Sequence, residues 1–119
     1  MPQKKEVQAL EAAIEQALKD VHVRCLGYGP DKLRCEFLRN RDLLISVERR
    51  RSKPEKLLLS EGYEEAVQLA GYSVNRGLKK KFLEELQQQF GLVVSHVATL
   101  KPSLPEKFNL LISFEPATE

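Results

Sequence analysis

The feature of this sequence that most constrains its fold is the stretch 52–91, which carries clear signals for the start and the end of helical structure. Ser52 and Glu55 have the spacing of a capping box, in which each side chain accepts a hydrogen bond from a free backbone N–H of the first turn. Pro54 lies in that turn, where its missing N–H removes no helical hydrogen bond. Gly91 can adopt the left-handed conformation that closes a helix. The rest of the chain must therefore fold around a long helical segment.

Between these signals, apolar residues recur every three or four positions, which predicts helix with one buried face. Gly62 divides the stretch into a short helix over Pro54–Ser60 and a long one over Glu61–Phe90. A helix of that length overhangs a small sheet, and oligomers are usually two-fold, so we predict a homodimer with part of this helix in the interface. The alternative for its two internal glycines is a close helix–sheet contact or a kink. The predicted interface residues are Ala66, Ala70, Gly71, Val74 and Gly77.

The remaining segments predict one further helix and two pairs of strands. Alternating apolar and polar residues on both sides of Arg39–Asp42 indicate a β-hairpin. Lys101–Lys107, with its two prolines, is expected to be a loop, and residues 1–5 are expected to be disordered. The order α-β-β-α-β-β predicts a single α+β domain of two layers, an antiparallel sheet with its helices on one face. The predicted elements are a helix over Glu6–His22 and strands over Lys32–Leu38, Leu43–Glu48, Leu92–Leu100 and Phe108–Glu115.

Composition and motif spacing argue against several classes of protein. No apolar run is long enough to span a membrane and no signal peptide is evident, so we expect a soluble, cytoplasmic protein. No phosphate loop or cofactor motif occurs, and we expect no cofactor and no metal. Cys25 and Cys35 match no zinc or redox spacing and are expected to be reduced thiols. The alternative is a zinc site built from His22, Cys25, Cys35 and His96.

The feature that most suggests a function is the basic stretch Arg39–Lys53. The net charge of the chain is only +2, but this stretch has a clear excess of cations over Asp42 and Glu48. It leads into a helix N-terminus, and arginine binds phosphate or carboxylate groups through two parallel hydrogen bonds. We therefore predict an anion-binding or partner-binding surface, with a solvated strand end as the alternative. The predicted residues are Arg39, Arg41, Arg49, Arg50, Arg51 and Lys53.

Several short motifs occur along the chain: Gly27-Tyr28-Gly29-Pro30, Ser52-Lys53-Pro54-Glu55-Lys56, Glu61-Gly62, Arg76, Gly91 and His96. Together they resemble the small bacterial MpsC family, named for a Na+-translocating system that generates membrane potential. The resemblance covers nearly the whole chain from the first helix onward, although Lys53 separates the serine and proline that are more often adjacent in the family as Thr-Pro. It implies a small soluble protein that acts with or beside a membrane transport system, and it carries over no catalytic residue.

Three function hypotheses follow. The first is a non-enzymatic interaction module, a homodimer that docks on a protein partner at a membrane ion or bicarbonate transport system. The second is a nucleic-acid-binding protein that uses Arg39–Lys53, although no RNA-binding signature accompanies this basic run. The third is a small-ligand sensor or enzyme with a pocket near Tyr28 and His96. The loop formed by Gly27, Tyr28, Gly29 and Pro30 is expected to be a tight turn at that site.

Overall fold

The computed structural model describes residues 4–116, which form three helices and one four-stranded antiparallel sheet. This confirms the α+β prediction and the element order, with the split helix counted once. The strands lie in the order β1-β2-β4-β3, so β1 and β3 are the two edges of the sheet. The elements are α1 Lys4–Leu26, β1 Lys32–Phe37, β2 Leu43–Glu48, α2 Lys53–Ser60, α3 Glu64–Phe90, β3 Val94–Leu104 and β4 Lys107–Phe114.

The helix signals of the stretch 52–91 are confirmed at atomic detail. The Ser52 side chain accepts a hydrogen bond from the Glu55 N–H, and the Glu55 carboxylate accepts one from the Ser52 N–H at 2.9 Å. Gly62, with φ of 82°, separates α2 from α3, and Gly91, with φ of 66°, ends α3. Both left-handed backbone conformations favour glycine, because a residue with a Cβ rarely adopts them. The sequence therefore determines where this pair of helices begins, breaks and ends.

Several predicted boundaries are wrong. The first helix continues to Leu26 rather than ending at His22, and the long helix begins at Glu64 rather than at Glu61. Lys4 and Lys5 belong to α1 rather than to a disordered segment, while residues 1–3 lie outside the described residues. The predicted loop Lys101–Lys107 is wrong for its first half, because β3 continues to Leu104. The strand accommodates Pro102 since β3 is an edge strand and its pairing with β4 is irregular between Leu100 and Leu104. A proline without an N–H is tolerated at such an edge or bulge.

One cluster of buried apolar side chains joins α1, α3 and the inner face of the sheet. Period-two alternation places Leu43, Ile45 and Val47 of β2 in it. The helical spacing of Leu78 and Phe82 places α3 over the same face. Both helices therefore cover one side of the sheet, as the two-layer prediction requires. The other largest fully buried members are Ile14, Leu18, Leu86, Phe108, Leu110 and Ile112.

α3 extends beyond this core. The side chains that α3 packs into the cluster begin at Val74, although the helix begins at Glu64. The N-terminal part of α3 packs instead with α2, and the protein is elongated, measuring 54 × 23 × 21 Å. We call residues 53–70 the α2–α3 arm. Four of its large apolar side chains are exposed, so the arm presents apolar surface that the chain itself does not cover. They are Leu57, Leu59, Tyr63 and Leu69.

Candidate functional site

The predicted basic surface is divided into two parts by β2. Arg39 and Arg41 lie in the connection between β1 and β2, whereas Arg49 and the residues after it follow the opposite end of β2. A strand of this length separates its ends by about 20 Å at roughly 3.3 Å per residue. The two groups therefore form two separate surfaces, and the continuous basic face that the nucleic-acid hypothesis uses is not formed.

Arg49 is buried, with 2% of its surface exposed, and each of its five N–H donors has an acceptor within the chain. Nε donates to the Asn75 Oδ1 at 2.8 Å, and one terminal nitrogen donates to the Arg50 carbonyl at 3.1 Å and to a Glu55 carboxylate oxygen at 2.8 Å. The other terminal nitrogen donates to the second Glu55 oxygen at 3.2 Å and to the Gly71 carbonyl at 3.1 Å. A guanidinium carries five donors, so this group is fully used.

Glu55 is the anionic partner in this arrangement and is itself completely buried. Burial alone raises the pKa of a carboxyl, but the hydrogen bonds from Arg49 and Ser52 outweigh that effect and hold the pKa of Glu55 below its usual value. The ion pair therefore keeps both charges at neutral pH. Because Glu55 also forms the capping box, one carboxylate connects the first turn of α2 to the end of β2.

Asn75 and Gly71 complete the same cluster from α3. The Asn75 amide donates to the Pro105 carbonyl at 3.1 Å, which connects α3 to the turn between β3 and β4. A Cβ on Gly71 would lie 2.4 Å from the Pro105 Cβ and 2.9 Å from a Glu55 oxygen. Gly71 is therefore required by a close contact within the chain, although this contact is with the turn between β3 and β4 and with α2 rather than with a strand. We call Arg49, Glu55, Gly71 and Asn75 the buried polar cluster.

This cluster corrects two predicted assignments. Arg49 has no free donor for an external anion, so it is removed from the predicted anion-binding set. Gly71 faces Pro105 and Glu55 within its own chain, so it is removed from the predicted dimer interface. The capping-box spacing marks Glu55 in the sequence as a helix-start residue. No local pattern, however, links Arg49 to Asn75, because the contact joins residues from different elements.

The other cations of this end of β2 remain at the surface around the start of α2. The Arg50 side chain is 61% exposed and lies 3.5 Å from Asp31, whereas Arg51 pairs with Glu106 at 2.7 Å. Lys53 and Lys56 are exposed. Two open depressions, of about 440 and 460 Å³, share Arg50, Arg51 and Lys56 in their walls. These four cations therefore border one continuous surface, which we call the α2 basic surface: Arg50, Arg51, Lys53 and Lys56.

The loop Gly27–Pro30 packs against His22, and its residues Gly27 and Tyr28 line the depression of about 460 Å³ in the α2 basic surface. His22 is completely buried, and its Nδ1 lies 2.7 Å from the Tyr28 carbonyl. Burial lowers the pKa of His22, because it disfavours the charged imidazolium. The Tyr28 hydroxyl donates to the Arg50 carbonyl at 2.8 Å, and the Arg50 guanidinium lies 5.3 Å from the centre of the Tyr28 ring. This loop therefore packs against Arg50 and helps to position it in the α2 basic surface.

The predicted pocket near Tyr28 and His96 is not formed. Tyr28 precedes β1 at one edge of the sheet, whereas His96 is an exposed residue of β3 at the opposite edge. The alternative zinc site is also not assembled, because no three His, Cys, Asp or Glu side chains of residues 4–116 converge on a metal position. Cys25 is exposed, and Cys35 is buried, with a pKa raised to about 12 by burial and by Glu15 and Glu11.

Three of the five predicted interface residues, Ala66, Ala70 and Gly77, form a stripe along the outward side of α3. Ala66 and Ala70 are half-buried, and Gly77 is exposed, with nothing within 4 Å of a Cβ built on it. Val74 is half-buried because it packs against the core. Leu69 lies beside the stripe and is 69% exposed, the largest value among the exposed large apolar residues. Small side chains allow another helix to approach closely, because interaxial distance depends on the side chains at the contact.

A comparison with protein families gives a match over most of the chain. The family model described as Na+-translocating membrane potential-generating system (MpsC) matches residues 6–100, which cover most of α1 through β3. The match includes the buried polar cluster and the α2 basic surface. Neither a curated protein nor a solved structure matches the chain at a significant level. None of the helices within residues 4–116 has the length and apolar character to cross a lipid bilayer.

Proposed function

Because the chain belongs to the MpsC family, we propose that it is a non-enzymatic interaction module of a membrane ion or bicarbonate transport system, such as the Na+-translocating system in the family description. It acts as a homodimer and docks on a protein component of that system. The observation that supports the proposal is the uncovered outward side of α3, where an exposed leucine borders a stripe of small residues. Association would bury this surface.

The charges on α3 favour an antiparallel, two-fold arrangement of two such helices. Glu65 lies just before the stripe and Lys80 just after it, and the two are equidistant from a point between Tyr72 and Ser73. The stripe from Ala66 to Gly77 is centred within one residue of that point. In an isologous contact every interaction occurs twice. An antiparallel crossing at this point would therefore bring Glu65 of each protomer toward Lys80 of the other.

Measuring the mass in solution tests the dimer. Light scattering should give twice the chain mass of 13.6 kDa, and a mass of 13.6 kDa at high micromolar concentration would contradict the proposal. Leu69→Lys should shift the protein toward monomer because it places a charge in the buried contact. Leu10→Lys, at an exposed leucine of α1, is the matched control and should leave the mass unchanged.

Charge reversal tests the geometry separately from the existence of a dimer. Glu65→Lys and Lys80→Glu should each weaken the dimer, since each places like charges opposite one another. The double variant should recover most of the loss, because it restores opposite charges at both symmetric contacts. A dimer that neither single variant weakens would leave the homodimer intact but overturn the antiparallel crossing on α3.

Capture from native membranes tests the role in transport. The purified dimer is expected to retain a membrane ion-transport protein, identified by mass spectrometry. Leu69→Lys should lose that protein if docking needs the dimer, and Leu10→Lys should keep it. Recovery of only soluble proteins with both baits would contradict the association with a membrane system.

A further inference from the structure

The α2 basic surface carries cations that the chain neutralises only in part. Arg50 is separated from Asp31 by 3.5 Å, and both side chains are more than half exposed, so the attraction is weak. Lys53 and Lys56 form no ion pair with any residue of 4–116. The acidic residue of α2, Glu55, faces inward, and its charge is neutralised by the ion pair with Arg49. The outward side of the first turns of α2 is therefore positive.

Apolar side chains interrupt this positive surface. At 100° per residue, Lys53, Lys56 and Leu57 lie on the same outward side of α2, opposite the buried Glu55. Leu57 is 63% exposed. Leu59, 40% exposed, borders the depression that Arg50, Arg51 and Lys56 also line. Lysines and arginines beside exposed leucines on one helix face are typical of helices that lie in the headgroup region of a membrane.

We propose that the α2 basic surface docks on a bilayer that contains anionic phospholipids. Arg50, Lys53 and Lys56 contact headgroup phosphates, and Leu57 reaches the boundary of the acyl chains. Tyr28 holds Arg50 in place by stacking against its guanidinium and by donating a hydrogen bond to its carbonyl. This inference goes beyond the proposed function, since it assigns a lipid contact to α2 and leaves the protein contact on α3 unchanged.

A lipid surface fits these observations better than a nucleic acid. The second basic group, at Arg39 and Arg41, lies at the other end of β2 and adds no charge to this surface. Arg50 covers the ring of Tyr28, so that ring is not free to stack on a base. Binding is favoured when the exposed Leu57 side chain leaves water. An acyl-chain boundary offers it an apolar environment, whereas a phosphate backbone does not.

Vesicle sedimentation tests the proposal with the full chain. Binding is expected to vesicles of phosphatidylcholine mixed with phosphatidylglycerol, to weaken with added salt, and to be absent with phosphatidylcholine alone. A triple variant, Arg50→Gln with Lys53→Gln and Lys56→Gln, should lower the partition coefficient on the order of 100-fold, at about fivefold per cation. Leu57→Gln should lower it by about tenfold, since a leucine side chain is no longer transferred from water.

The matched control removes one arginine and two lysines from the opposite end of the molecule. The control variant, Arg39→Gln with Lys4→Gln and Lys5→Gln, changes the net charge by the same amount as the first triple variant. Its three residues lie close together, because the Glu11 and Glu15 carboxylates of α1 accept hydrogen bonds from the Phe37 and Cys35 N–H groups, which brings the start of α1 near Arg39. The control should change binding by less than about threefold, because charges beyond a Debye length are screened. Circular dichroism and the melting temperature confirm that all variants fold.

Several outcomes would overturn the lipid assignment. Equal binding to both kinds of vesicle would show that anionic lipid is not required. An equal loss of binding in both triple variants would show that the α2 basic surface is not the site of contact. Displacement by soluble glycerol phosphate would point to a phosphate pocket instead. Tight binding to single-stranded RNA at physiological salt, lost in the first triple variant, would point to nucleic acid. Dimer mass is measured without lipid, so failure of this inference and failure of the proposed function are distinguishable.

Discussion

Glu55→Gln is the most informative single substitution in the buried polar cluster. The amide keeps the shape of the carboxylate and can still accept hydrogen bonds through its oxygen, but it removes the charge that balances Arg49. Both side chains of the pair are completely buried, so solvent cannot compensate the arginine. Breaking a buried ion pair by removing one partner costs about 3–5 kcal/mol. We take the lower end, about 3 kcal/mol, because the Gly71 and Arg50 carbonyls and the Asn75 amide oxygen still accept hydrogen bonds from Arg49.

Thermal and denaturant unfolding of the variant give the required free energies. A chain of this length has an unfolding entropy of about 0.25 kcal/mol/K, so a loss of 3 kcal/mol lowers the melting temperature by about 12 °C. Glu106→Gln is the control, because it removes the Arg51–Glu106 pair, whose side chains are partly exposed. That pair should contribute less than about 1 kcal/mol. The denaturant m-value should stay unchanged in both variants, which shows that the denatured state is the same.

The pH dependence of the same variant supplies an independent check. The folded pKa of Glu55 is lowered, so its contribution to stability is present above the unfolded pKa, about 4.3, and is lost as the pH falls below it. Glu55→Gln should therefore lose less stability than the wild type on acidification. If Glu55→Gln costs no more than Glu106→Gln, the cluster does not stabilise the fold, and the reasoning from burial and donor satisfaction is refuted.

Three further predictions use other parts of the fold. Gly71→Ala should destabilise the protein by more than about 2 kcal/mol because of the close Pro105 contact, whereas Gly77→Ala should stabilise the helix by up to about 1 kcal/mol in urea unfolding. Because burial lowers the pKa of His22, stability should fall as the pH drops from about 6.5 toward that lowered value, and His22→Leu should flatten this part of the curve. Cys25 should react with iodoacetamide in the native protein, while Cys35, with a pKa of about 12, should react only on unfolding, as peptide mass spectrometry will show.

Local patterns predicted most of the fold because each depends on a few neighbouring residues. Helix capping by Ser52 and Glu55, helix termination at Gly91 and alternation in β2 need no information from distant parts of the chain. Prediction failed where the outcome depends on position in the sheet. Pro102 argues against a strand in isolation, but β3 is an edge strand with an irregular pairing, so the missing N–H is tolerated there.

The candidate site was predicted less completely, because the sequence shows which residues are charged but not what they face. Arg49 and Arg50 are adjacent and chemically identical. Tertiary contacts place one inside, against Glu55 and Asn75, and the other at the surface, over Tyr28. A charge run therefore contained one structural residue and several surface residues that local pattern did not distinguish.

Capping, periodicity and short motifs are local properties, so they were enough to predict the elements, their order and the family. The roles of particular side chains depend on tertiary contacts. Glu11 and Glu15 share the polar side of α1, yet their carboxylates accept hydrogen bonds from the Phe37 and Cys35 N–H groups at the edge of β1. Gly71 lies in a helix like Gly77, but only Gly71 has no room for a methyl group. These differences arise from contacts between residues far apart in the chain, which packing fixes and local propensity does not.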